Sequence, residues 1–245
     1  MEAKTKGNVR PFGMADKIGY AFGDFGNDFT FMLSSMFMMK FYTDVMGVAP
    51  GIVGGLMMAA RFVDAVTDVT MGQIVDRSRP TKDGKFKPWI RRMCGPLGIA
   101  GFLIFQSEFA GMSVGFKIFW MFLTYLLWGS IFYTSVNIPY GSMASAISPD
   151  PNHRAQLSTY RNIGATMASL VIGTGTPLLA YEAADGATVL SGSRMTVIAG
   201  VFAVCGIICH LLCIYLVGDR VEIAQIPSRL GGGTLRRTLH TNSSR

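Results

Sequence analysis

The chain has 245 residues and a formal net charge of +7, and half of its residues are apolar while only 15% are charged. A soluble domain usually carries about a quarter charged residues, so this composition excludes an ordinary soluble enzyme or binding domain. Long apolar runs alternate with short basic connectors, as in a polytopic membrane protein. We expect no nucleic-acid partner, because no basic module interleaved with aromatic residues is present.

Six apolar runs are long enough to span a bilayer, whose hydrocarbon core requires about 20 helical residues. A polar tail, 1–16, precedes them and lacks the apolar core of a signal peptide. An all-α bundle then occupies 17–218, and the polar, basic stretch 219–245 has the composition of a cytoplasmic tail or a truncated central loop. The predicted spans run from Lys17 to Phe41, from Gly51 to Val75, from Trp89 to Gln106, from Phe116 to Ala146, from Leu157 to Ala180 and from Met195 to Val217.

Lysine and arginine are distributed unevenly between the two predicted sides of the membrane. The N-terminal tail, the connector between the second and third spans, and the C-terminal stretch are basic, whereas the opposite side has only Lys40, Lys117 and Arg194. The positive-inside rule therefore predicts that both termini are cytoplasmic. The expected location is the plasma membrane, which is the inner membrane of a bacterium.

Charged residues interrupt the second predicted span in the stretch AARFVDAVTDVTMG, residues 59–72. Asp64 and Asp68 are one helical turn apart on one face, and Arg61 lies a turn earlier on that side. A charge at mid-bilayer costs at least about 2.5 kcal/mol, so these groups require a partner or a water-filled cavity. A buried ion pair that joins two helices is one explanation, but it needs a single carboxylate. The surplus carboxylate favours a cation site.

The first predicted span repeats the pattern in GYAFGDFGNDFTF, where Asp24 and Asp28 are also four residues apart. Close carboxylates in a low-dielectric pocket repel, so they hold a proton or recruit a monovalent cation. The hydroxyl groups of Thr67 and Thr134 are expected to supply neutral oxygen ligands if the fourth span packs against the second. These residues together predict a cation pocket between the first, second and fourth spans.

The fourth predicted span contains the polar stretch LLWGSIFYTSVNIPYGS, which includes Trp128, Asn137 and Tyr140. Sugars bind to such a mixture, because rings stack on the sugar face while amides and carboxylates bond adjacent hydroxyls. An interfacial aromatic belt with ordinary helix packing explains the same residues equally well.

Three cysteines recur every four residues in the sixth predicted span, at Cys205, Cys209 and Cys213, with His210 among them. This arrangement is compatible with a metal site. The plain helical repeat and the lack of a nearby carboxylate favour small residues that pack along one helix stripe.

Several motifs together are similar to the glycoside–pentoside–hexuronide:cation symporters, the melibiose-permease-like branch of the major facilitator superfamily. They occur between about residues 17 and 165 and are GYAFGDFGNDF, FYTDVMGV, ARFVDAVTDVTMG, DGKFKPWI, NIPYGSM and QLSTYRNIG. The resemblance implies a sugar or glycoside substrate, a coupling cation, alternating access in a lipid bilayer and no further cofactor.

The resemblance implies that Asp64 and Asp68 bind the coupling cation and that Thr134 assists them. Thr67 stands where sodium-using members often have asparagine. This departure leaves both Na⁺ and H⁺ open as the coupling ion.

For the sugar, the resemblance implies that Asp28 hydrogen-bonds the substrate and that Arg61 and Arg161 lie in the same pocket. Asp24 is also expected to be a substrate-binding residue. Asn137 stands where the melibiose carriers have a second sugar-binding aspartate, and Gly141 stands where they have a tryptophan. A glucuronide, xyloside, glucoside or other oligosaccharide is therefore expected in place of melibiose.

Members of this family have about twelve helices in two similar halves, with the substrate between them. The six spans predicted here correspond to the N-terminal half, which we expect to be truncated. The missing C-terminal half, or a second copy of the chain in a homodimer, is the expected partner.

Two other classes of function remain open. Aspartates four residues apart also bind Mg²⁺ and diphosphate in membrane-embedded prenyl- and phospho-alcohol transferases, which DAVTDVTMGQIVD resembles superficially. The CDP-alcohol pattern requires a further aspartate where this chain has Pro80, and the sixth span lacks the second aspartate-rich motif of a prenyltransferase. An inactive membrane remnant would have the same sequence.

Overall fold

The computed structural model describes residues 10–184 and 187–221 of the chain. Residues 1–9 of the predicted N-terminal tail and residues 222–245 of the predicted C-terminal tail lie outside the described residues. Within the described residues the fold is almost entirely helical. The α-helices are α1 (Met14–Lys40), α2 (Pro50–Arg77), α3 (Lys87–Ile104), α4 (Val114–Tyr125), α5 (Thr134–Ile147), α6 (Pro151–Ala180) and α7 (Gly192–Leu216).

Shorter elements extend or connect these helices. A π-helical turn, Phe41–Val45, continues α1, and a 3₁₀ turn, Ser107–Gly111, follows α3. A π-helical segment, Leu126–Tyr133, joins α4 to α5 in one continuous helix. An antiparallel hairpin connects α6 to α7, with β1 (Tyr181–Ala184) paired to β2 (Ala187–Leu190).

The helices of the described residues follow the predicted spans in order, since α4, the π segment and α5 form one helix. The fifth helix, α6, begins earlier than predicted because Pro151 occupies its first turn and Asp150 caps it by accepting a hydrogen bond from Asn152 N at 2.8 Å. The hairpin between α6 and α7 was not predicted.

Among the described residues, four helices are long and apolar enough to cross a membrane: α3 with its following turn, the α4–α5 helix, α6 and α7. Helices α1 and α2 carry the charged residues of the predicted pocket and are not among these four. Large apolar side chains are exposed on the helices, including Phe62 at 74% and Leu178 at 76%. Soluble monomers rarely expose such surfaces, whereas lipid-facing helices do.

Helix α1 packs against α6 and α7 along one length of the bundle. Gly26 on α1 and Gly206 on α7 allow the two backbones to approach closely. A Cβ atom at Gly26 would lie 3.0 Å from Gly206 O, and one at Gly206 would lie 3.1 Å from Gly26 O. Small residues at such crossings are typical of helix packing in membranes, and here they let polar groups on α1 and α7 meet.

A buried carboxylate joins the start of α1 to the segment after α7. Asp16, which precedes the first predicted span, accepts hydrogen bonds from Gly218 N at 2.9 Å and from Arg220 Nη2 at 2.9 Å. It also pairs with Arg10 at 3.2 Å and accepts from Gly13 N at 3.1 Å. The beginning of α1 and the end of α7 therefore lie at the same end of the bundle.

Burial of Asp16 would by itself raise the pKa of this carboxyl. The hydrogen bonds from Gly218 N, the Arg220 side chain and Gly13 N, with the positive charge of Arg220, outweigh burial and hold the pKa below its ordinary value. The group is therefore an ionised anchor at neutral pH.

Candidate functional site

A cavity of about 100 Å³ lies between α2 and the π segment that leads into α5. The π segment turns the α4–α5 helix so that hydroxyl and aromatic side chains face the charged stretch of α2. Residues of α1, α2 and the α4–α5 helix line this cavity, namely Phe31, Arg61, Asp64, Asp68, Tyr125, Trp128, Gly129, Tyr133, Thr134 and Asn137.

Asp64 and Asp68 of α2 each accept a hydrogen bond from a hydroxyl group of the facing helix. Ser130 Oγ donates to Asp64 Oδ1 at 2.5 Å, and Thr134 Oγ1 donates to Asp68 Oδ1 at 2.8 Å. The four-residue spacing of the aspartates is thus matched by the four-residue spacing of the hydroxyls. Asp64, Asp68 and Thr134 line the cavity, whereas Ser130 is buried and contacts Asp64 without lining it.

Arg61 offsets part of this negative charge. Its Nη1 lies 3.7 Å from Asp64 Oδ2, and 62% of its side chain is exposed. An exposed ion pair at this distance contributes about 1 kcal/mol or less, so the arginine is free to move away from the carboxylate. One formal negative charge remains at the two aspartates after this pairing.

The oxygen atoms of this wall are hard ligands. Two carboxylates, the Thr134 hydroxyl and the Gly129 carbonyl, which also accepts from Thr134 Oγ1 at 3.2 Å, suit a monovalent cation or a shared proton. Softer transition metals prefer nitrogen and sulfur ligands. Among the described residues that line the cavity, the side-chain nitrogens are those of Arg61, Trp128 and Asn137, and none of these residues carries sulfur. The donor set therefore fits a monovalent cation or a shared proton.

The Thr67 hydroxyl is directed elsewhere. It donates to the helix carbonyls of Val63 at 3.1 Å and Asp64 at 3.0 Å, and the residue does not line the cavity. The structure therefore brings Thr134, and not Thr67, into contact with the carboxylate oxygens.

Aromatic rings also line the cavity. Trp128 is 3% exposed, and its ring lies 6.0 Å from Tyr133 and 6.3 Å from Phe31, while Phe31 stacks on Tyr133 at 5.1 Å. Trp128 Nε1 has no hydrogen-bond partner among the described residues. A buried donor of this kind at a cavity is suited to an oxygen of a bound ligand.

The α1 aspartates occupy a second group, against α6. Arg161 Nε donates to Asp24 Oδ1 at 2.9 Å, and the guanidinium lies 5.3 Å from the centre of the Tyr140 ring. Asp28 is 7% exposed, and its Oδ2 has no hydrogen-bond partner among the described residues. Asp28 thus presents an unused acceptor one turn from a fixed ion pair.

Tyr140 is fully buried and its hydroxyl is already bonded. It donates to Tyr20 O at 2.6 Å, and Tyr20 donates in return to Tyr140 O at 3.2 Å, with the two rings stacked at 4.6 Å. Tyr140 therefore joins α1 to α5, and its ring supports Arg161 instead of lining the cavity.

His210 and Asn27 form a buried polar contact between α7 and α1. His210 Nδ1 lies 2.7 Å from Gly206 O and Nε2 lies 3.0 Å from Asn27 Oδ1, while Asn27 Nδ2 lies 3.4 Å from Asn137 Oδ1. The described residues contain no group of three or more histidine, cysteine or acidic residues placed to hold a metal ion.

Sequence reasoning missed Ser130 as a partner of Asp64. The signal was present, because Ser130 and Thr134 repeat the spacing of Asp64 and Asp68. It also missed Phe31 and Tyr125 as lining residues, since aromatic residues in an apolar span carry no signal that separates a cavity wall from the core.

The sequence matches the family model described as MFS/sugar transport protein over residues 19–239. The chain is 32% identical over 232 residues to the uncharacterized symporter YjmB of Bacillus subtilis (strain 168), a match that covers 94% of this chain and 49% of that protein. It is 40% identical over 167 residues to the putative glycoside/cation symporter YagG of Escherichia coli (strain K12), with coverage of 68% and 35%.

A third relative is the isoprimeverose transporter of Lactiplantibacillus pentosus, which is 31% identical over 212 residues, with coverage of 86% of this chain and 43% of that protein. The chain thus spans about half the length, or less, of these curated relatives.

Proposed function

Because the chain belongs to the MFS/sugar transport protein family, as its motifs predicted, we propose that it forms one half of a sugar:cation symporter. The relatives named above are transporters, and this family membership argues against the transferase alternative. The proposed substrate is a glycoside or an oligosaccharide, and the proposed coupling ion is Na⁺ or H⁺.

The observation that carries this proposal is the pairing of Asp64 with Ser130 and of Asp68 with Thr134 across one cavity. A structural ion pair would place a positively charged side chain between the two carboxylates. Arg61 is instead largely exposed, and its Nη1 lies 3.7 Å from Asp64 Oδ2. The hydroxyls instead complete an oxygen cage without neutralising it. A mobile cation or a proton supplies the missing positive charge when it binds.

The proposed sugar site lies on the α1 side of the same region. The unused acceptor of Asp28, the unpaired Nε1 of Trp128 and the Asn137 amide supply one acceptor, one donor and one group of either kind. Sugar hydroxyls both donate and accept, so this mixture suits them. Arg161 and Asp24, already paired, would shape the floor of the site.

Alternating access requires a second six-helix unit that rocks against this one. We propose that either a second half or a second copy of the chain covers the exposed part of α2, which includes Phe62, Asp68 and Val69. All six long helices would then span the inner membrane. The contact of Asp16 with Arg220 and Gly218 supports an even number of crossings with both termini on the cytoplasmic side.

The deciding experiment measures cation binding by the purified chain in lipid nanodiscs, with Na⁺ titrated calorimetrically at fixed pH and protons titrated in sodium-free buffer. Asp64→Cys and Asp68→Cys are each expected to abolish the binding of the coupling ion, because each removes one carboxylate from the cage. Asp44→Cys is the matched control, since Asp44 pairs with Lys40 at 3.2 Å on an exposed surface away from the cavity.

Reconstituted vesicles give the second readout, the uptake of a labelled glycoside driven by a sodium or proton gradient. Loss of uphill uptake in both cavity variants, with Asp44→Cys unaffected, is the expected result. Unchanged cation binding in both Asp64→Cys and Asp68→Cys would overturn the proposal.

A further inference from the structure

A line of three polar side chains crosses the bundle from α7 to the cavity. His210 on α7 contacts Asn27 on α1 at 3.0 Å, and Asn27 contacts Asn137 on α5 at 3.4 Å. His210 is 1% exposed and Asn27 is also 1% exposed, whereas Asn137 lines the cavity beside Thr134. The line therefore begins in the core and ends at the proposed ligand.

The contact between His210 and Gly206 fixes which ring nitrogen of His210 carries a proton. Nδ1 lies 2.7 Å from the carbonyl oxygen of Gly206, which can only accept, so Nδ1 must donate. The neutral ring then has an unprotonated Nε2, which can only accept. Asn27 must therefore turn its amide nitrogen, and not its oxygen, toward His210.

The orientation of Asn27 in turn determines that of Asn137. Amide oxygen and nitrogen exchange places by a rotation of 180° and are nearly equal in size, so hydrogen bonding decides between the two orientations. With its nitrogen bound to His210, Asn27 offers its oxygen to Asn137, which donates through its own nitrogen. The carbonyl oxygen of Asn137 is then left to face the cavity.

The opposite polarity requires a doubly protonated His210 that donates to both Gly206 O and Asn27 Oδ1. Such a cation would be fully buried between α1 and α7, and none of the described ion pairs places a carboxylate against it. An unpaired buried charge costs several kcal/mol or more, so the neutral ring prevails. The close backbone contact at Gly26 and Gly206 holds the ring in this position.

We propose that His210 is a positioning residue for the cavity, which acts through Asn27 to hold the Asn137 amide with its oxygen toward the ligand. The cavity then gains a neutral oxygen acceptor for a cation or for a sugar hydroxyl, in place of an N–H donor. The identity of that ligand rests on the proposed function, but the polarity of the line does not.

The test uses the full chain in lipid nanodiscs, with ¹⁵N in its histidine rings and asparagine side-chain amides. The His210 signals are identified by their loss in His210→Gln. The expected spectrum shows a protonated Nδ1 and a bare Nε2. In His210→Leu the Asn137 amide signal shifts, because nothing then sets the polarity of Asn27. His210→Gln keeps an acceptor oxygen near Asn27 and leaves the Asn137 signal close to its original position.

Sodium chloride is the ligand probe in the same samples. His210→Leu is expected to weaken sodium binding by about three- to tenfold, the equivalent of one neutral hydrogen bond, and His210→Gln to restore most of it. A doubly protonated or Nε2-protonated His210, or an Asn137 signal unchanged in His210→Leu, would overturn the proposal. Failure of the unmodified chain to bind any cation would contradict the proposed function. The ¹⁵N spectra of the unmodified chain and of His210→Leu would still decide the polarity of the line.

Discussion

Helices α1 and α2 each carry two aspartates four residues apart, but their surroundings differ. Asp24 and Asp28 on α1 are 6% and 7% exposed, and Asp24 is held by Arg161 at 2.9 Å. Asp64 and Asp68 on α2 border a cavity and receive hydrogen bonds from neutral hydroxyls only, apart from a long contact with Arg61. The same spacing therefore produces one pair of which Asp24 is held by the protein, and one pair that borders a cavity.

This difference indicates how a shared motif acquires separate roles. A buried carboxylate must be neutralised by the protein itself, because its desolvation cost is paid in every folded molecule. A carboxylate at a cavity is neutralised by the ligand that enters the cavity. Substitution of Asp24 or of its partner Arg161 is therefore expected to change the stability of the fold, and substitution of Asp64 or Asp68 to change cation binding.

The largest effect is expected from Arg161→Met, which leaves Asp24 buried without its partner. We expect the free energy of unfolding to fall by about 3 kcal/mol, the lower end of the cost of removing one member of a buried ion pair, because the Arg161 side chain is 36% exposed while Asp24 is buried. Unfolding by a denaturing detergent, followed by intrinsic fluorescence in mixed micelles, measures the change.

The control is the double variant Arg161→Met with Asp24→Leu, which removes both charges. It should recover most of the lost stability, since an apolar pair of similar volume avoids the desolvation cost. If the double variant were as unstable as Arg161→Met alone, packing and not the unpaired charge would explain the loss.

A third α1 carboxylate, Asp16, sharpens the comparison because it has more partners than Asp24 or Asp28. Asp16→Asn is expected to lower the free energy of unfolding by about 2 kcal/mol at pH 7, the usual value for hydrogen bonds to a charged group. The matched control is the same chemical change at an exposed position, Asp44→Asn, which should leave stability unchanged within about 0.5 kcal/mol.

The effect of Asp16 also depends on pH in a defined direction. Its pKa in the folded chain lies below the ordinary value, so its stabilisation is complete above about pH 4 and is lost as the pH falls through the folded pKa. The difference between the original chain and Asp16→Asn should therefore shrink under acid. A constant difference from about pH 7 to about pH 3 would show that the carboxylate charge has no part in it.

The smallest effects separate Asp28 from Asp68. Asp28→Asn should raise the free energy of unfolding by about 1 kcal/mol, because it removes a buried negative charge that has no ion-pair partner among the described residues, and should weaken glycoside binding more than cation binding. Asp68→Asn should change stability by about 0.5 kcal/mol or less, since Asp68 is exposed, but should weaken cation binding. The reverse ranking in either assay would exchange the proposed roles of the two helices.

The sequence was sufficient for the order of the long helices and for the polar residues that meet at the cavity. Asp64, Asp68 and Thr134 were predicted to lie together because apolar spans tolerate charge only where a partner or a cavity exists. The structure brings them together, and their roles remain predictions. Charged residues are easy to recognise in a membrane protein, since few other residues in its helices are polar.

The direction of the Thr67 hydroxyl, the contact of Ser130 with Asp64 and the hairpin depended on local geometry that the sequence pattern does not reveal. Whether Thr67 points into the cavity or back to its own helix depends on a side-chain rotation, and its hydroxyl bonds the carbonyls of Val63 and Asp64. Ser130 faces Asp64 only because the α4–α5 helix passes through the π segment. The hairpin between α6 and α7 is short, and its alternation was too brief to detect.

The π segment Leu126–Tyr133 also sets how tolerant the cavity is to changes in chain length. Residues in an α-helix advance by about 100° each, so a segment that holds extra residues per turn resets the angular phase of everything after it. Deleting Ile131 would let the helix close into regular α geometry and would swing Thr134 and Asn137 away from Asp68. Insertions and deletions in this segment would therefore move several cavity residues together, whereas a point substitution changes one oxygen atom at a time.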